Sequence, residues 1–468
     1  MRKLSEKYIY LQVARAIEDK IARKVLCPGD KIPSVRVLMR DAGVSRKTVE
    51  KAIDELRRRA VIYTRDRIGH FVADTGSMRS NWLDGFDAGQ TDEAMVARLI
   101  LGGEERERSF SSAVLETDLI PAARIATLAK QAIGQSWDDF VTLELPPGSV
   151  RLRRLIAQAL MRRGVQCSAD DVLITEGDNT FLRLLLQFLS KRFGAIAHDR
   201  ICYFGCLRAV EGLQLSVHKL ESDSVRGFDT ERAIELIEAD KIGILFVNPT
   251  LSNPLGYTLP IEDRRRLVMA AQAHECVIIE DDVFDGLLEG KDSPPPLKAF
   301  DETGCVLYLG SLSKILAPGL RVGWCLPGRF HADLTGKLLS ENRCTSTPGQ
   351  RIAERLIGSQ MLEDHLKGVR QIFARQRQEI LGLIQTHFPA GTQISRPLAG
   401  GVYWITLPDR TDAEAFFSTL EARGIEVSRG TIFGAPRTPA SFRLCVTRRL
   451  CVSSRTVLIE IGEIAANC

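Results

Sequence analysis

The chain has 468 residues, 44% hydrophobic and 26% charged, an ordinary composition for a soluble globular protein. No apolar run approaches the ~20 residues of a membrane helix, and the start, Met1-Arg-Lys-Leu-Ser-Glu, lacks the apolar core of a signal peptide. Eleven cysteines without repeated close pairs fit reduced cytoplasmic thiols and argue against a disulfide frame or a zinc site. The net charge of +4 is unevenly divided: residues 1–75 hold 18 Lys+Arg against 10 Asp+Glu, and the remainder is mildly acidic. A basic head on an acidic body suits a head that meets phosphates.

In the head, Tyr10, Val13, Ile17 and Ile21 share one face of a predicted helix that runs to about Lys24. Cys27-Pro-Gly-Asp breaks it. Ser34 is placed to cap a second helix, Ser34–Asp41. Ala42-Gly-Val-Ser45 forms a tight turn, and Ser45 is placed to cap a third helix. On that helix Val49, Ile53 and Leu56 face inward, which leaves Arg46, Lys47 and Thr48 at its exposed start. Val61–Tyr63 and His70–Val72 alternate as strands around Arg65-Asp-Arg67-Ile-Gly69, a hairpin with a cationic tip.

A helix-turn-helix lays the start of its second helix against base edges in the major groove. Ser45, Arg46, Lys47 and Thr48 suit that place, Arg36 suits a phosphate, and Arg65, Arg67 and Gly69 suit the backbone or minor groove. The expected partner is double-stranded DNA; the competing reading is a helical protein-docking module with incidental basic residues. The run Pro28-Gly-Asp-Lys-Ile-Pro-Ser-Val-Arg36, followed by Gly43-Val-Ser-Arg46-Lys-Thr48-Val, resembles the winged helix-turn-helix of the GntR regulators. That resemblance implies DNA contacts at Arg36, Arg46, Thr48 and Gly69.

Residues 76–108 are polar and glycine-rich and read as a linker, with one short predicted helix at Glu93–Leu101. From 109 to 468, apolar strands alternate with amphipathic helices. Val172–Thr175, Ile242–Val247, Val277–Ile279 and Val306–Leu309 read as buried parallel strands of a doubly wound α/β sheet. Its ligand belongs beyond the carboxyl ends of those strands.

The chemistry-bearing residues follow strand ends. In Gly310-Ser-Leu-Ser-Lys314-Ile-Leu-Ala-Pro-Gly-Leu-Arg321-Val-Gly-Trp324, a lysine sits behind two hydroxyls with an arginine seven residues on. The amine can form a Schiff base with an aldehyde cofactor, while Ser311, Ser313 and Arg321 can hold its phosphate. Glu176-Gly177-Asp178-Asn179 opens a helix, whose backbone N–H groups form an anion cup. A carboxylate at Asp178 weakens that cup. Tyr203 offers a face for stacking on a pyridine ring, or is a core aromatic. Two Asn-Pro steps, at Asn248 and Asn253, fix a rigid loop, and Asn253 can donate to a ring oxygen; the alternative is a turn without chemistry. Asp281, in Glu280-Asp-Asp282, can pair with a pyridinium nitrogen. Arg443 can grip a carboxylate bidentately, or is a surface ion pair.

Together these motifs resemble the fold-type I aminotransferases over nearly all of residues 109–468. The resemblance implies an α/β/α transferase fold with a small domain from about 345, and pyridoxal 5'-phosphate as cofactor. It makes Lys314 the Schiff-base lysine, Asp281 the pyridinium partner, Asn253 the ring-oxygen ligand and Tyr203 the stacking residue. Ser311 and Arg321 become phosphate ligands, and Arg443 becomes the carboxylate grip. It further implies a site at a homodimer interface. A GntR head on such a body is similar to the MocR-type regulators. Three departures bear on function: Asp178-Asn179 at the cup, Phe284 where the family has a tyrosine, and His198-Asp-Arg-Ile201 before Tyr203. They predict a weakened cofactor grip without efficient transamination. The expected function is a cytoplasmic transcriptional regulator that senses the cofactor, an amine or an amino acid. The alternative is an active aminotransferase with an accessory head.

Overall fold

Helical spacing of apolar residues builds the head. Val13, Ala14 and Ile17 of the helix Glu6–Ala22 meet Leu38 of the helix Val35–Ala42. Val49, Ile53 and Leu56 of the helix Arg46–Arg58 complete the same core, each set lying on one helix face. Strands β1 (Ile62–Arg65) and β2 (Gly69–Val72) pair antiparallel, Ile62 opposite Val72, and both of those residues are buried. Ser45 caps the third helix: its Oγ accepts from the Thr48 amide at 3.3 Å and lies 2.8 Å from Thr48 Oγ1. The cap expected at Ser34 is corrected. Ser34 has the extended backbone of a cap residue, but its hydroxyl makes no capping bond. Buried Leu38 and the left-handed Gly43 behind the helix hold this short segment instead.

The computed structural model describes residues 6–22, 25–27, 29–59, 61–65, 68–73, 106–135, 141–288, 293–341 and 345–468. The chain forms two compact units, one within residues 1–95 and one within 96–468. Arg67, the Glu93–Leu101 segment and most of the expected linker lie outside the described residues.

In the second unit, strands β3 (Leu173–Thr175), β4 (Ala195–Asp199), β5 (Ser216–Leu220), β8 (Ile244–Val247), β9 (Val277–Asp281), β10 (Val306–Ser311) and β11 (Gly323–Leu326) form one sheet. Their order is β3-β11-β10-β9-β8-β4-β5. A short ribbon of β6 (Ser222–Asp223) and β7 (Gly227–Phe228) lies apart from it. The expected strands are all present and parallel to one another, but β11 runs antiparallel to both its neighbours, so the sheet is mixed. Every residue of β3, β8, β9, β10 and β11 is buried, as in a sheet covered on both faces. The polar segment His198-Asp-Arg-Ile201 before Tyr203 reads as a loop from its residues, yet His198 and Asp199 end strand β4. Their polarity concealed a strand whose last residues turn toward the site.

Strands β12 (Gln393–Ile394), β13 (Val402–Thr406), β14 (Ser428–Arg429) and β15 (Ser441–Cys445) form a second, antiparallel sheet in the order β12-β13-β15-β14. Its core takes Phe416 from the helix Ala413–Ala422, Leu458 from the helix Val452–Asn467, and Ile380 and Ile384 from the long helix Gln360–His387. Phe110 belongs to this core as well. Its amide donates to the Glu426 carbonyl at 2.7 Å, and the Cys445 amide donates to the Phe110 carbonyl at 2.8 Å. The C-terminal sheet expected from about 345 therefore also takes in a segment from the start of the body. Among the described residues, no helix is long and apolar enough to cross a membrane.

Candidate cofactor site and DNA-binding face

Strands β3, β10, β9, β8 and β4 point the same way, so their carboxyl ends open on one edge. Each sequence-predicted residue of the body lies on or just past such an end, save Arg443, which comes from β15.

The two-residue period of β9 separates three adjacent carboxylates. Glu280 accepts from the Leu297 and Lys298 amides at 2.7 and 2.9 Å. Asp282 pairs with Arg163 at 2.6 Å and accepts from Tyr308 Oη at 3.1 Å. Between them, Asp281 points the other way: it is buried, and its Oδ1 has no hydrogen-bond partner. Burial, and then the charge of Asp178, push the Asp281 carboxyl well above the usual range. Lys314 follows β10. Burial holds its amine below the ordinary lysine value, and Arg443 adds to that, while Asp178 and Asp281 oppose it. Ser311 Oγ accepts from the Ser313 amide at 3.1 Å; Ser313 Oγ is buried without a partner.

Beyond β3, Gly177 precedes the helix Asp178–Leu189 with φ +92°. The positive φ calls for glycine, and a Cβ there would lie 2.7 Å from Arg321 Nη2, so a larger residue would also push the guanidinium aside. Arg321 Nη2 donates to the Glu176 carbonyl at 3.1 Å, which holds a cation at the mouth of the cup. Asp178 is buried in the first turn, and Asn179 Oδ1 beside it lacks a partner.

Sequence reasoning missed how the Asn253 loop is held. Asn248 Oδ1 accepts from the Asn253 amide at 2.6 Å, and Asn248 Nδ2 donates to the Asp281 carbonyl. Fully buried Arg264 donates to the carbonyls of Leu259, Pro249 and Pro295 and to Thr250 Oγ1. The paired Asn-Pro steps were the signal for a rigid loop; the arginine gave none. Arg443 is buried and is no surface ion pair. Its Nη1 donates to Asn253 Oδ1 at 2.7 Å, and its Nη2 to the Ser111 carbonyl at 2.6 Å and Ser428 Oγ at 3.3 Å. Only Nε lacks a partner, and the guanidinium lies over Phe433.

Tyr203 caps the helix Phe204–Val210 and is buried; burial, then Asp178 and Asp281, raise its hydroxyl pKa. Asp199, at the end of β4, accepts from Tyr257 Oη at 2.5 Å. Burial raises its carboxyl to about 7, and that hydrogen bond opposes the rise. An unfolded aspartate titrates near ~3.9. Between roughly pH 4 and 7 the folded chain keeps a proton that the unfolded chain has lost, so stability falls as pH rises through that window. Asp199→Asn is expected to reduce the slope of Tm against pH there, and an unchanged slope contradicts it.

On the head, Arg36, Arg46 and Lys47 are exposed and Thr48 is half-buried against Ser45. Arg46 Nε bonds Glu50 at 2.8 Å across one helical turn. Arg65 lies over the rings of Tyr63 and Phe71 and donates to Tyr63 Oη at 3.2 Å. Lys31, which sequence reasoning passed over, crosses Gly69 closely and pairs with Phe71.

Residues 112–450 match the family "Aminotransferase class I and II", and residues 9–72 match "Bacterial regulatory proteins, gntR family". The uncharacterized HTH-type transcriptional regulator YjiR of Escherichia coli is 28% identical, over 97% of this chain and 98% of its own length. Aromatic-amino-acid aminotransferase 1 of Thermococcus litoralis is 26% identical, over 70% of this chain and 80% of its own. Among solved structures, Pyrococcus horikoshii kynurenine aminotransferase, in complex with PMP, superposes with a TM-score of 0.71 at 22% identity, covering 84% of this chain and 97% of that one. At that identity the likeness speaks to fold. The chain belongs to the class I and II aminotransferase family and carries a gntR-family helix-turn-helix at its N-terminal end.

Proposed function

We propose that this protein is a cytoplasmic DNA-binding transcriptional regulator whose body binds pyridoxal 5'-phosphate through Lys314 and responds to the cofactor or to an amine or amino acid. One observation carries the reading: a single chain joins a basic helix-turn-helix to a half-buried Lys314 that shares its surroundings with the buried Asp281, whose Oδ1 has no partner. The comparisons favour it over a plain aminotransferase, because YjiR matches both halves whereas the Thermococcus enzyme covers 70% of the chain.

The donor set fits the cofactor. Asp281 Oδ1 and Ser313 Oγ are buried without partners and would meet a pyridinium N–H and a phosphate oxygen. Ser311, Arg321, Gly177 and Asn179 would complete the phosphate cup; Asn253 would serve the ring oxygen, and Tyr203 the ring face. When bound, the cofactor supplies an aldehyde carbon for amines and a ring that withdraws electrons. Lys314 serves it with an amine that burial keeps closer to the neutral, nucleophilic form. Asp178 sets a negative charge in the cup, and Phe284 brings no hydroxyl to the ring, so a reversible grip is expected in place of efficient turnover. Arg443 would take the carboxylate of an amino acid by giving up its bonds to Asn253 and Ser428.

The proposed division is a head of residues 1–75, a linker of 76–108 and a body of 109–468. A homodimer would present two heads to two half-sites, with their spacing set by the bodies. The test is a footprint of the full chain on its own upstream DNA at physiological salt. A protected, sequence-specific site is expected; non-specific binding alone would contradict the regulator reading.

A further inference from the structure

Lys314 also forms part of the wall of a partly open pocket, whose empty space together with the solvent at its mouth is about 370 Å³. The remaining wall is mostly apolar, with Leu115, Leu251, Phe284, Leu287 and Phe373 as its larger members. Its other polar side chain, Thr447, is already committed, since its hydroxyl donates to the Ser112 carbonyl at 3.2 Å. Space is kept open at Gly400, which has φ +76°; a Cβ there would stand 3.8 Å from Leu251 Cδ1 and 3.9 Å from Leu287 Cδ1. Phe284, where a tyrosine would add a hydroxyl, leaves that side apolar too. The pocket thus offers one side-chain amine at one place and a mostly apolar wall elsewhere.

We infer that this cavity receives the side chain of an apolar amino acid, aliphatic or aromatic, whose polar end lies at Lys314. The inference rests on the reading of Lys314 given above and names the ligand class for that site. A second carboxylate, a phosphate or a distal ammonium would be set against a mostly apolar wall with no charged side chain there to pair it, which is unfavourable. Burial of an apolar side chain, by contrast, is favourable in proportion to the area removed from water.

Deaminated acids isolate the pocket from the cofactor. Phenylpropionate, isocaproate and glutarate are titrated calorimetrically into the full-length chain without added cofactor. The first two are expected to bind at least about tenfold more tightly than glutarate, the ratio that burying one apolar group supplies. Ala399→Leu, which narrows the partly buried rim, and Leu287→Asn, which sets an amide in the wall, are each expected to lower that affinity about tenfold. Circular dichroism melts show which variants are folded. Equal binding of glutarate, no binding of any acid, or unchanged affinity in the folded variants overturns the inference. A chain that binds phenylpropionate but takes up no pyridoxal phosphate would sink the cofactor reading alone. A chain that takes up cofactor yet binds glutarate equally well would sink the pocket alone.

Discussion

Lys314→Ala is expected to abolish the pyridoxyl adduct that borohydride fixes on the unaltered chain. Lys314 lies past the end of β10, half-buried, near enough to Asp178, Asp281 and Arg443 to feel their charges, and desolvation is the chief cause that holds its amine below the ordinary lysine value. A buried amine gains nucleophilicity because water no longer stabilises its charged form. Lys298 cannot substitute for it: its ammonium is tied to Asp301 and the Val306 carbonyl at 2.8 Å each. Digestion and mass spectrometry should place the adduct on the peptide that contains Lys314 and find none in the variant. The variant should also remain folded, since it loses a buried amine that desolvation disfavours, and the head should bind DNA as before. An adduct of equal yield in Lys314→Ala contradicts the assignment.

The second large effect is expected in the head. Arg46→Ala combined with Lys47→Ala should weaken specific DNA binding on the order of a hundredfold or more, taking ~1–3 kcal/mol for each contact to a base or phosphate. The two side chains project from the exposed start of the helix Arg46–Arg58, while Val49, Ile53 and Leu56 beneath them carry the core. Arg46 is bonded to Glu50 in this structure. An exposed pair of that kind is worth about 0–1 kcal/mol, less than a contact to DNA, so it is given up on binding. The melting temperature should therefore hold while affinity falls. Fluorescence anisotropy at fixed ionic strength separates the two, because charge alone shifts affinity steeply with salt. An unchanged dissociation constant would refute the placement of this helix in the groove.

The features that could be read from the sequence are the local ones. Ser45, Val49, Ile53 and Leu56 announce a capped amphipathic helix within a dozen residues, and the structure has it. Asp281 could be found because it ends an apolar strand, and Lys314 because it follows one closely within a specific motif. What escaped was distant or disguised. Arg443 reaches the Ser111 carbonyl across 332 residues of sequence, and no periodicity reports such a contact. Strand β4 ends in His198 and Asp199, so its polar tip resembled a loop. Strand β11 was hidden in the tail of the lysine motif, and its direction is set by its neighbours in the sheet and by no pattern of its own. Arg264 reads as one more charged residue of an amphipathic helix until its bonds to the Pro249 loop are seen.

Phe284 and Asp178 shape the functional reading more than any motif that is present. Both surround an intact Lys314, and both remove or oppose something a tight phosphate-bearing ligand needs. On the function proposed above, such a body would fill and empty with ligand concentration, as a sensor requires.

The most direct test of that claim measures DNA affinity and cofactor occupancy on the same sample. Full-length chain is titrated with pyridoxal phosphate while anisotropy of its footprinted DNA site is followed, and the Lys314 adduct is quantified at each point. DNA affinity is expected to change at least about fivefold, the lower range of allosteric coupling, over the same concentrations that fill Lys314, and to stay flat in Lys314→Ala. Identical DNA-binding curves for the filled and unfilled chain would contradict the account.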